Sequence, residues 1–164
     1  MKASVVLTRP AEDVAAFAKR LQTAGWKTIC QPVMRIDELE ASEQVPTPDL
    51  KAGDYCIFIS ANAVRRGLPT LLPAIEAEGI HCFAGGGRTA AKLRRHTISV
   101  TVPSEPHSEG LLSLPELQDV ADRRIVVVKG QGGRATLAEY CRLSLSALRN
   151  YEAGHAVDGG RLPC

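Results

Sequence analysis

A mostly parallel, doubly wound α/β sheet is the fold class that this 164-residue sequence predicts. Short apolar runs recur as strands, and each is followed by a stretch with helical spacing. Glycines or hydroxyl residues stand at the joins. Hydrophobic residues make up 45% of the chain and charged residues 23%, so a buried core is expected.

The elements follow in order. SVVL, residues 4–7, reads as a short buried strand. Pro10, whose fixed φ suits a first helical position, opens a segment in which Val14, Phe17, Ala18 and Leu21 share one helical face. Gly25 stops that helix. Thr28 to Cys30 is a second strand, which makes the first 35 residues one βαβ unit. DELEASEQVPTPDLKAGD, residues 37–54, carries acids, prolines and turn formers with little periodicity, and reads as a connection between lobes. Tyr55 to Ile59 is the next strand and SANAVRRGLPTLL its helix. His81 to Ala84 followed by GGGRTAAKLRRH repeats the step across a glycine-rich turn. Ile98 to Val102 is another strand, and Ser108 stands where it can cap a brief helix in SEGLLSLPEL. Arg124 to Val128, running into KGQGGRATLAE, closes the series.

Composition excludes several classes of function. Twenty Lys plus Arg against eighteen Asp plus Glu gives a net charge of +2 with the signs mixed, so no basic stripe points to nucleic acid. RRG at Arg65 and KLRRH at Lys92 are short clusters that serve either as solvated helix faces or as contacts for an acidic small molecule. Cys30, Cys56, Cys82, Cys141 and Cys164 include no C-x-x-C pair and read as free buried thiols in a reducing cytoplasm. His81 beside Cys82 is the only close Cys/His pair, too few ligands for a closed metal site. MKASVVLTRP lacks a signal pattern and no apolar run reaches spanning length, so a cytoplasmic protein without membrane contact is expected.

Open parallel sheets bind ligands outside the carboxyl ends of their strands. That rim holds Thr8, Arg9, Ser60, Asn62, Gly85 to Thr89, Ser108 and Lys129 to Arg134. KGQGGR has neither dinucleotide nor P-loop spacing. It is a glycine turn feeding a helix start, where free N–H groups favour an anion by about 0.3–1 kcal/mol per interaction. A tight turn that needs glycine explains it equally well. AGGGRTAAKL has the same design, and Thr89 and Ser60 can each be a helix cap, a ligand contact, or both. No Ser-His-Asp order or paired-carboxylate site stands out. Several anion-binding turns converging on one polyanion is the chemistry that remains.

VLTRPAED, FISANAV, GGGRTAAKL, SEGLL and VVVKGQGGRATLAE, in this order within residues 4–139, resemble the uroporphyrinogen-III synthase family of tetrapyrrole biosynthesis. The resemblance implies two lobes with open, mostly parallel flavodoxin-like sheets, the second inserted into the first, and substrate in the cleft between. Its substrate is hydroxymethylbilane, a linear tetrapyrrole rich in carboxylates, which is cyclised to uroporphyrinogen III with ring D inverted and water lost. The resemblance implies no metal or organic cofactor, and a monomer is expected. Thr8 and Arg9 would line the first lobe, and Ser60, Asn62, Thr89, Ser108, Gly110, Gly132, Gly133 and Arg134 the second. Tyr151 would help the hydroxyl leave.

The implied organisation is residues 1–35 as the opening of lobe one, 36–140 as lobe two, and 141–164 as an atypical tail. The motifs stop at Glu139, and a shifted reading frame or mispredicted gene end is the expected cause. The first lobe is then incomplete and turnover impaired. The alternative is an isolated α/β lobe that binds a polycarboxylate without catalysis.

Overall fold

The computed structural model describes residues 4–33, 35–37, 47–118, 120, 123–130, 148–152 and 156–158. Its elements in chain order are β1 (Ser4–Leu7), α1 (Ala11–Thr23), β2 (Lys27–Cys30), β3 (Arg35–Asp37), β4 (Tyr55–Phe58), α2 (Ala61–Glu78), β5 (His81–Ala84), α3 (Gly87–Arg94), β6 (Val100–Thr101), α4 (Ser108–Leu112), a 3-10 turn (Pro115–Leu117), β7 (Ile125–Lys129), β8 (Leu148–Glu152) and β9 (Ala156–Asp158). The chain divides into two compact units, Met1–Glu38 with Ala156–Cys164, and Leu39–His155.

In the smaller unit β1 and β2 pair in parallel, with Val5 opposite Thr28 and Leu7 opposite Cys30. The periodic face of α1 covers one side of them: Leu7, Val14 and Ala18 are buried, with Val5, Phe17 and Leu21 packed against the cluster. Pro10 is the residue before the helix rather than its first turn, because its ψ of 143° is extended. Gly25 ends the segment at φ +82°, in the left-handed region that glycine enters without a Cβ clash. Val6 and Ile29, register partners, remain 55% and 46% exposed. Cys30, expected buried, is exposed, because two strands and one helix do not enclose the end of β2. β3 pairs antiparallel with β9.

The larger unit holds five parallel strands in the order β6-β5-β4-β7-β8. The sheet is open and parallel as expected. Its order is third, second, first, fourth and fifth along the chain, not the flavodoxin order, in which the second strand is at the edge and the third lies beside the first. Alternation along each strand sends side chains to opposite faces. Cys56, Phe58, Cys82, Ala84, Val126 and Val128 join α2 and α3 in one buried cluster with Leu68, Leu71 and Leu93. Ile57, Phe83, Ile125 and Val127 face the other way, against Leu111 and Leu117. Helical segments therefore cover both faces, as a doubly wound sheet requires.

Local chemistry fixes the boundaries. α2 extends to Glu78, past the stretch its periodicity marks, until Gly79 at φ +63° ends it. Asp54, buried before β4, accepts backbone N–H groups of Lys51 at 2.9 Å and Arg124 at 3.0 Å, and so joins the starts of β4 and β7. The fifth strand, β8, comes from the segment that the sequence sets apart as a tail. LRNYE has no apolar alternation to reveal it; only the parallel ladder with β7 does. Cys56 and Cys82 are free and buried as expected, and the neighbouring Cys82 thiol together with burial pushes the Cys56 thiol far above its ordinary range.

Candidate functional site

Because all five strands of the larger unit are parallel, their carboxyl ends lie along a single edge. Strand order reverses between β4 and β7, and that is where such sheets open a crevice for ligand. Ser60 and Asn62 follow β4, Gly85 to Thr89 follow β5, Ser108 and Gly110 follow β6, and Lys129 ends β7. Gly132, Gly133 and Arg134 lie outside the described residues.

Close backbone approaches draw these loops together. A Cβ on Gly85 would stand 2.9 Å from the Ile59 carbonyl oxygen, so the β5–α3 turn meets the β4–α2 turn only with glycine there. A Cβ on Gly86 would lie 3.4 Å from Pro106 in the loop before α4. Lys92 Nζ donates to the Ala61 carbonyl at 3.3 Å and ties α3 to the first residue of α2. Ser60, Asn62, Thr89, Ser108 and Gly110 are thereby brought to linked turns along one edge.

The helix starts on that edge differ. At α2, Ser60 is extended and its Oγ accepts the Ala63 N–H at 3.0 Å, so the serine caps its own helix. Asn62 Oδ1 accepts from the Arg65 guanidinium at 2.5 Å. At α3 the residue before the helix is Gly86, which has no side chain to cap it. The Gly86 carbonyl accepts from Thr89 and Ala90, which leaves the N–H groups at the tip of the turn without a side-chain acceptor from the cap. Thr89 does not cap: it lies in the first turn of the helix and is only 5% exposed. A glycine start followed by a buried hydroxyl is suited to an anion, since donors and helix dipole point outward together.

At α4 the cap is His107, not Ser108. His107 has extended backbone and its Nδ1 accepts the Gly110 N–H at 3.0 Å, while Ser108 is already helical. Glu105 Oε2 lies 2.8 Å from Nε2 and orients the ring, while Glu109 Oε2 lies 3.1 Å from Nδ1, the atom that the Gly110 amide also uses. Nδ1 accepts from Gly110 through its lone pair, whereas a bond to the Glu109 carboxylate needs a proton on that atom, so the two contacts compete for one nitrogen. Gly110 is buried, and a Cβ there would collide with the Glu105 carbonyl oxygen. Its amide therefore serves the loop itself.

In the smaller unit Thr8 and Arg9 follow β1 and are exposed. The Arg9 guanidinium stacks 5.2 Å from the centre of the Phe17 ring. Tyr151 lies in β8 opposite Val128 of β7, near the carboxyl end of the strand. Among the described residues no group of three His, Cys, Asp or Glu side chains is arranged to hold a metal ion, and no helix is long and apolar enough to cross a membrane. His107 and Lys92 were missed as parts of this edge. A histidine one residue before SEGLL is a cap signal of low specificity, and Lys92 reads as solvent-facing until α3 is laid beside α2.

A family model described as "Uroporphyrinogen-III synthase HemD" matches residues 15–156, and so reaches past Glu139, through β8. Uroporphyrinogen-III synthase of Salmonella typhimurium is 31% identical over 151 residues, covering 83% of this chain and 58% of the relative. That of Proteus mirabilis is 30% identical over 146 residues, covering 85% and 73%. A crystal structure of a mutant uroporphyrinogen III synthase from the extremely thermophilic bacterium Thermus thermophilus superposes with a TM-score of 0.63 at 15% identity, over 95% of this chain and 64% of that one. This likeness concerns the fold. The chain spans little more than half the length of the Salmonella relative.

Proposed function

This chain belongs to the uroporphyrinogen-III synthase family, and from that premise we propose that the carboxyl edge of its five-stranded sheet holds the carboxylates of hydroxymethylbilane for cyclisation to uroporphyrinogen III. The observation that carries the reading is the α3 start: a glycine turn without a side-chain cap, followed by the buried Thr89, on the same edge as the switch point between β4 and β7. A linear tetrapyrrole must be folded so that its ends meet, and several fixed anion sites achieve this by removing rotational freedom before reaction. Backbone donors suit the task because they need no reorganisation as charge develops.

Within this reading, Thr89, Asn62 and Ser108, together with Gly132, Gly133 and Arg134, contact substrate, and Thr8 and Arg9 are further candidates for its carboxylates. Ser60 and Gly110 act chiefly by shaping their turns, since the Ser60 hydroxyl and the Gly110 amide are already used within the chain. Tyr151 assists departure of the hydroxyl, a role supported by its register beside Val128. The reaction uses no metal or organic cofactor and the protein works as a cytoplasmic monomer, without nucleic acid or membrane.

A coupled assay that generates hydroxymethylbilane in place, followed by oxidation and separation of the porphyrin isomers, tests the proposal. Type III product above the spontaneous level supports it. Type I alone, with binding of a polycarboxylate porphyrin retained, would reduce the chain to a holding lobe, and loss of both would dismiss the reading.

A further inference from the structure

The two short basic clusters of the sequence meet in the folded chain. α2 and α3 lie side by side on one face of the sheet, joined through Val64, Leu68, Ala90 and Leu93. Between them runs a groove of about 390 Å³. Leu68, Pro69 and Leu72 of α2 form its apolar wall, while Arg65, Lys92 and Arg95 bring cationic head groups from both helices. Leu68 and Leu72 are four residues apart and so stack along one helical stripe. No Asp or Glu is among the described lining residues.

Two of the cations are fixed in direction. The Arg65 guanidinium is held by Asn62 Oδ1 at 2.5 Å, and Lys92 Nζ by the Ala61 carbonyl at 3.3 Å, so both sit at the end of the groove near the start of α2. Arg95 follows the last residue of α3 and stands at the other end, exposed. Positive charge thus flanks an apolar strip. The volume matches a small organic ligand, and an apolar wall three side chains long falls short of the roughly 800 Å² per partner that a stable protein interface buries. Three cations also give too short a track for a nucleic-acid backbone, which needs a longer stripe of phosphate contacts.

We propose that the α2–α3 groove is a second binding site, separate from the sheet edge, for a small amphipathic carboxylate: an apolar ring or short chain against Leu68, Pro69 and Leu72, with its acid group against Arg95 at the end away from the start of α2. The apolar wall selects the body of the ligand and the cations select its charge. A neutral molecule of the same shape forfeits the second interaction, and a polar acid forfeits the first. This site does not depend on the assignment of the sheet edge to tetrapyrrole carboxylates.

The test is a titration of the full 164-residue chain with 2-naphthoate, followed through backbone amide resonances, with neutral 2-naphthamide as the comparison. Saturable shifts centred on Leu68, Leu72, Lys92 and Arg95, with naphthamide binding at least several-fold more weakly, are expected. Arg95→Gln, an exposed position, should weaken naphthoate binding by about three- to fivefold, the scale of one partly solvated charge contact. Leu72→Gln should weaken both ligands while leaving the dispersed amide spectrum intact. Equal binding of the two ligands, no effect of either substitution, or shifts centred on residues 85–89 would each overturn the proposal.

Discussion

α2 and α3 begin at the same edge of the same sheet, each directly after one of two paired parallel strands, yet their first turns are built oppositely. Ser60 turns its hydroxyl onto the Ala63 amide, so the donor that the helix start exposes is used within the chain. Gly86 offers no side chain, and the turn before α3 keeps its outward N–H groups for something else. A cap of the first kind contributes about 1 kcal/mol to the fold. A start of the second kind forgoes that stabilisation and gains an anion site. Stability and binding thus draw on the same few backbone donors, and each helix start serves one of them.

The comparison holds only if the turns are held together, and the largest predicted effects fall there. Gly110→Ala should cost at least about 3 kcal/mol in urea unfolding, because the new methyl group meets the Glu105 backbone, which cannot move aside as a side chain would. Gly85→Ala should cost roughly 2 kcal/mol, since its Cβ would stand 2.9 Å from the Ile59 carbonyl oxygen. A smaller loss would show that the two turns have room to part.

The caps come next. Ser60→Ala should lower stability by about 1 kcal/mol, and His107→Ala by a similar amount, whereas His107→Asn keeps a capping acceptor and should recover most of the loss. The smallest effect sharpens the comparison most. Gly86→Ser gives α3 the device that α2 has and should change stability by only a few tenths of a kcal/mol. It should nevertheless weaken polycarboxylate binding several-fold by calorimetry. Unchanged affinity would mean that the α3 donors are not the ones that hold the ligand.

Much of this architecture was legible in the chain itself. The apolar runs of Tyr55 to Phe58 and His81 to Ala84, buried on both faces, and the periodic Val14, Phe17, Ala18 and Leu21, buried on one, are direct consequences of how a covered parallel strand and an amphipathic helix pack. Strand order was not legible, because a parallel crossover of given length reaches a neighbour on either side. Nor was β8, whose LRNYE depends on its ladder with β7 rather than on a pattern of its own. At the candidate site, the glycine turn after β5 announced itself, but the cap at α4 moved from Ser108 to His107 because one extended residue decides where a helix begins. The groove between α2 and α3 was invisible for a related reason: RRG and KLRRH are separate in sequence and adjacent only after the sheet brings their helices side by side.

The most direct test of the capped and open starts is an amide-resolved titration with a uroporphyrin, a stable polycarboxylate relative of the proposed product. If the account is right, the amides of Gly86, Gly87, Arg88 and Thr89 shift and saturate together while that of Ala63, already bound to Ser60, moves little. Equal movement at Ala63, or a response with no focus on residues 86–89, would contradict it.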